Sequence, residues 1–97
     1  MKVIFHDDFY EVYTSDPAAA AGRMEAVIDG VGSHVALIKA ETASEADIAA
    51  VHTKTHIDHV KGQGLYSIAA LAAGGAIQAA TLGLKEPALG LIRPPGH

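Results

Sequence analysis

The chain contains no cysteine, which excludes a disulfide framework and a thiolate metal site and leaves His, Asp and Glu as the side chains able to hold a metal. The absence also fits a reducing cytoplasm. Basic runs are missing too. Seven Lys and Arg against eleven Asp and Glu give a formal charge of −4, with no electrostatic footprint for nucleic acid or an anionic membrane. At the N-terminus, Met1-Lys2-Val3-Ile4-Phe5 meets His6-Asp7-Asp8 too soon to supply the apolar core of a signal peptide. The longest weakly polar stretch, 68–80, falls short of the ~20 residues of a membrane-spanning helix. A soluble, cytoplasmic chain is expected. Walker and dinucleotide-binding glycine spacings are absent, as is a Ser or Cys nucleophile elbow, so nucleotide binding and covalent catalysis have no support. No internal repeat, low-complexity tract or linker interrupts the sequence.

What is present is an apolar fraction of 49% with charges interspersed, the balance of a packed core. Lys2 to Phe5 reads as a first strand closed by His6-Asp7-Asp8, and Ser15-Asp16-Pro17 as a turn or helix start. Ala18 to Val31 predicts a helix, with Ala20, Met24, Val27, Ile28 and Val31 at spacings of three and four and with Gly30 and Gly32 at its end. Val35 to Ile38 predicts a second strand. Ser44, with Asp47 three residues on, caps a short helix, and Thr53 or Thr55 opens another that Gly62-Gln63-Gly64 ends. Leu65 to Leu82 is the longest helical pattern. Its adjacent Gly74 and Gly75, each costing about 1 kcal/mol relative to alanine, imply close packing against a sheet or another helix, or else a break at Gly74. Ala88 to Ile92 forms the last strand. This alternation predicts an α/β class with a mostly parallel sheet. Three such strands need more cover than one long helix and a few short ones supply, so residues 1–97 read as an incomplete part of a single larger domain.

Four groups of residues could carry chemistry. The closing run Leu91-Ile92-Arg93-Pro94-Pro95-Gly96-His97 delivers a histidine just past a buried strand, where open α/β sheets place their sites; a plain strand-ending loop fits equally well. His52, His56 and His59, spaced four and three, would share one face if all three sat on one helix, as metal-binding imidazoles do. No HExxH arrangement accompanies them, and exposed histidines on short helices are the simpler reading. His6-Asp7-Asp8 is an acid/base cluster or a solvated turn. Arg23 is an internal anion-binding group or an exposed helix residue.

Arg93-Pro94-Pro95-Gly96-His97 resembles the Arg-Pro-Pro-Gly-His-His signature of the histone deacetylase superfamily, which includes acetylpolyamine amidohydrolases and acetoin utilization proteins. The likeness extends upstream in order and spacing. Phe5-His6-Asp7 and Tyr10 resemble the family's opening strand and loop, and Gly22-Arg23-Met24-Glu25-Ala26-Val27 its arginine-led first helix. Asp47-Ile48 through Val51-His52-Thr53, with Ile57 and Val60, resemble the segment leading to a histidine and a short helix. Residues 69–76 resemble the small-residue helix before the signature strand. Asp16-Pro17-Ala18-Ala19-Ala20-Ala21 departs from the Pro-Glu-Arg pattern common in the family and leans toward the acetylpolyamine amidohydrolase branch.

The resemblance implies the N-terminal part of an arginase-like three-layer αβα fold and zinc-dependent hydrolysis of an acetyl-lysine or acetylamine amide. It assigns His97 to the first of two acid/base histidines, Arg23 to an internal channel and Gly96 to substrate contact. It places the zinc ligands outside this chain, so the 97 residues alone should bind no specific zinc and catalyse nothing. His52, His56 and His59 match no zinc ligand of the family. The alternatives are a non-enzymatic module that self-associates through an exposed sheet edge or apolar face, and a small metal-binding protein built on the three histidines.

Overall fold

The computed structural model describes residues 1–95. Three strands, β1 (Lys2–Phe5), β2 (Ala36–Lys39) and β3 (Ala88–Gly90), form one sheet in the order β2-β1-β3. Both pairings are parallel: Val3 lies beside Leu37 on one side and Leu89 on the other, and Ile4 beside Ile38 and Gly90. The pairing with the last strand runs on past β3, where the Leu91 N–H donates to the Ile4 carbonyl. All three strands therefore end at the same edge of the sheet, and the loops after them converge there. The chain is an α/β protein.

Helices α1 (Arg23–Val31), α2 (Glu45–Ala49), α3 (Lys54–Gly62) and α4 (Tyr66–Gly83) complete the connections. Side chains cap two of them as the sequence predicts. Ser44 Oγ accepts from the Asp47 N–H at 3.1 Å to open α2, and Thr53 Oγ1 accepts from the His56 N–H at 3.2 Å to open α3. The first helix begins later than its apolar spacing predicts. Asp16 caps a short 3₁₀ turn, Pro17–Ala19, and Gly22, at φ +84°, bends the chain before Arg23. A regular helix from Ala18 would commit the carbonyls of Ala18 and Ala20 to its own ladder, but both are taken by a buried arginine from the other end of the chain. A second 3₁₀ turn, Asp7–Tyr10, lies in the stretch after β1, which has no clear periodicity.

Helix α4 runs unbroken through Gly74 and Gly75, and the reason is close approach. A Cβ on Gly74 would stand 1.7 Å from the Glu41 carbonyl oxygen, and one on Gly75 2.9 Å from the Ile92 side chain. The segment 39–43 straps across the helix at that point. The Ala43 N–H donates to the Ala70 carbonyl, while the Gln78 side chain accepts from the Glu41 N–H and donates to the Lys39 carbonyl. Ile4, Phe5, Phe9, Met24, Ala40, Ile68, Leu71 and Ala72 form the core between sheet, α4 and the 3₁₀ turn. Burying Phe9 completely contributes about 2–3 kcal/mol. By length and composition α4 is apolar enough to cross a membrane, but here its glycine face is packed on the sheet.

Candidate functional site

The most constrained group at the C-terminal edge of the sheet is Arg93, three residues past β3. It is 2% exposed. Its planar guanidinium has five N–H donors in fixed directions, and backbone carbonyls occupy all five. Nε donates to Phe9, Nη1 to Ala18 and Ala20, each at 3.1 Å, and Nη2 to Tyr10 at 3.0 Å and Glu11 at 3.2 Å. The Tyr13 ring lies beside the guanidinium, centroid to Cζ 5.9 Å, near the outer limit for a cation–π contact. No carboxylate among the described residues pairs with it. Lysine could not make this arrangement, because it offers three donors and no fork. Arg93 thus ties the end of the last strand to the whole loop between β1 and α1.

That loop carries two of the other candidates. Arg23 is exposed at the start of α1, and its Nη1 donates to the same Ala18 carbonyl at 3.1 Å. His6 Nδ1 accepts from the Asp8 N–H at 3.0 Å, which caps the 3₁₀ turn. The Asp8 carboxylate also stands 3.6 Å from that nitrogen. A nitrogen that accepts carries no proton, so the cap and an ion pair at Nδ1 are mutually exclusive, and the cap is the shorter of the two contacts. Tyr10 has its phenol pKa raised, first by burial and then by the Asp7 and Glu25 carboxylates.

On the far side of Pro94 and Pro95 an open groove of about 760 Å³ runs between α4, the α2–α3 segment and the loop 13–16. Its floor is Ala69, Ala72, Ala73, Ala76 and Ile77; Ile48, Val51, Ile57 and Val60 form one wall. His52, His56 and His59 all border it. His52 precedes the Thr53 cap and so lies outside α3, although its ring rests 5.1 Å from that of His56, centroid to centroid. Only His56 and His59 share the helix. Among the described residues no three His, Asp or Glu side chains converge closely enough to hold a metal ion. Tyr13 also borders the groove, and its buried Oη has no hydrogen-bond partner among the described residues.

His97 and Gly96 lie outside the described residues. The structure brings Arg93, Tyr10 and Arg23 into one assembly, with His6 at the head of the same loop, and leaves the three histidines on the groove, on the other side of the prolines. Tyr13 and Gln78 escape a reading of the sequence alone, since neither sits in a motif or at a periodic position. Arg93 gives one signal, a cation closing an apolar run, and its acceptors are backbone groups that no sequence pattern marks. Compared with descriptions of protein families and with curated proteins, the chain matches none.

Proposed function

We propose that the chain forms the N-terminal part of a zinc-dependent amidohydrolase domain of the histone deacetylase type, with an arginase-like αβα fold, acting on acetyl-lysine or an acetylpolyamine. The observation that carries this reading is the Arg93 cradle. Segments that resemble the family separately, Tyr10 in the opening loop, Arg23 at the first helix and Arg93 in the closing signature, lie more than 80 residues apart at the extremes, yet meet around shared backbone carbonyls. Gly74 and Gly75, in a further such segment, admit the strand edge and the strap at contact distance. The all-parallel sheet adds that the loops after its strands meet at one edge, where α/β enzymes bind ligands.

The described residues do not fit a zinc site, because they bring no three ligands together. Their part is positional: Arg93 fixes where Pro94 and Pro95 leave the sheet. No step of amide hydrolysis falls to residues 1–95. The coding frame past codon 97 tests the assignment. The expected result is a histidine codon next and an Asp-X-His further on; a frame containing neither contradicts it. Zinc-dependent release of acetate by the 97-residue chain alone would contradict the purely positional role.

A further inference from the structure

The sequence separates His52 from His56 by four residues, and the structure sets their rings 5.1 Å apart, centroid to centroid, with planes tilted by 36°. Backbone hydrogen bonds fix both positions. The His52 N–H donates to the Ile48 carbonyl at 3.0 Å, which continues the last turn of α2, and the His56 N–H donates to Thr53 Oγ1 at 3.2 Å in the first turn of α3. Thr53, extended at φ −71° and ψ 155°, joins the two turns. Each imidazole therefore comes from a separate helix end, and both residues are exposed.

Two imidazoles that ligate one metal ion through nitrogens about 2.0–2.1 Å away have ring centres about 4.5–5.2 Å apart when the angle at the metal lies between about 90° and 109°. The observed spacing falls inside that interval, so chelation needs no backbone movement. Charge around the pair suits a cation. The groove that both histidines border is also lined by Asp16 and Asp47 and, among the described residues, by no Lys or Arg. Lys54, next to the pair in sequence, is engaged by the Asp58 carboxylate at 2.6 Å. The positive end of α3 acts the other way and limits the affinity.

We propose that His52 and His56 chelate one divalent transition-metal ion, with water at the remaining positions. Two nitrogens with open positions around them suit the tetragonal coordination of Cu²⁺ or Ni²⁺, whereas a zinc site normally takes three or four protein ligands. His59 is left out, because no three such side chains converge among the described residues. The inference stands independently of the amidohydrolase reading, whose zinc ligands the resemblance places outside this chain.

Isothermal titration calorimetry of the 97-residue chain with NiCl₂, CuCl₂, ZnCl₂ or MgCl₂, in a non-coordinating buffer at neutral pH, tests it. The tightest site should take one ion per chain and prefer Cu²⁺ to Ni²⁺ and Zn²⁺, and Mg²⁺ should not bind. His52→Gln and His56→Gln should each raise the dissociation constant about tenfold or more, since losing one of two ligands costs at least what losing an outer-shell partner does. His59→Gln should change it less than about twofold. Electron paramagnetic resonance of the Cu²⁺ complex should show two nitrogen ligands in the wild type and one in either pair variant. All three positions are exposed, so helical circular dichroism should be retained. If His56→Gln fails to fold, His52→Gln decides. No binding of Cu²⁺ or Ni²⁺, wild-type affinity in both pair variants, an equal loss in His59→Gln, or equal binding of Mg²⁺ would each overturn the proposal.

Discussion

A buried cation whose five donors all meet backbone carbonyls makes Arg93 the residue whose loss should cost most. Its removal strands up to five backbone acceptors in a closed site, and breaking such charge-assisted bonds costs at least ~3 kcal/mol. Arg93→Ala is expected to lower the urea midpoint by a corresponding amount, and Arg93→Lys to recover only part of the loss. Full recovery with lysine would show that charge, not the fork, is what the cradle reads. Tyr10 gives a second test. Its folded-state pKa is raised, so its contribution to stability is fully present below the unfolded value near 10.0 and is lost as pH rises through the folded value. Chemical denaturation at alkaline pH should therefore show a decline that Tyr10→Phe reduces. The exposed Lys54–Asp58 pair on α3, although it spans only 2.6 Å, should matter little by comparison.

At the scale of elements, glycine separates positions that look alike in sequence. Gly30, inside α1, has nothing within 4 Å of an added Cβ, whereas Gly74 has the Glu41 carbonyl oxygen at 1.7 Å. Gly30→Ala should stabilise the chain by about 0.5–1 kcal/mol through backbone entropy. Gly74→Ala should destabilise it despite the better helix former, by displacing the strap; thermal melts of the two variants should move in opposite directions. The elements themselves were largely legible. Strand β1, the caps Ser44 and Thr53, and the extent of α4 follow from short-range rules, and the packed glycine pair was readable because glycine inside a long helix needs a reason. The start of α1 was not legible, because Arg93 withdraws the Ala18 and Ala20 carbonyls from 75 and 73 residues away. Of the candidate site, the tail could be singled out by its residues, but the cradle that holds Arg93 is built from backbone atoms, which periodicity and motif spacing do not encode.

At the scale of the molecule, the sheet is one strand deep on either side of β1, and Leu37 and Leu89 remain about half exposed beside a Val3 that is fully buried. Apolar surface remains exposed on the flanks of the sheet and on α4, where Ile77 is 44% exposed. The functional account has its own test. Purified product of the complete coding frame that includes these residues, supplied with zinc, should release acetate from an acetylpolyamine or acetyl-lysine, and should stop when a chelator removes the metal. Zinc-loaded, folded product that releases no acetate from either substrate would contradict the account.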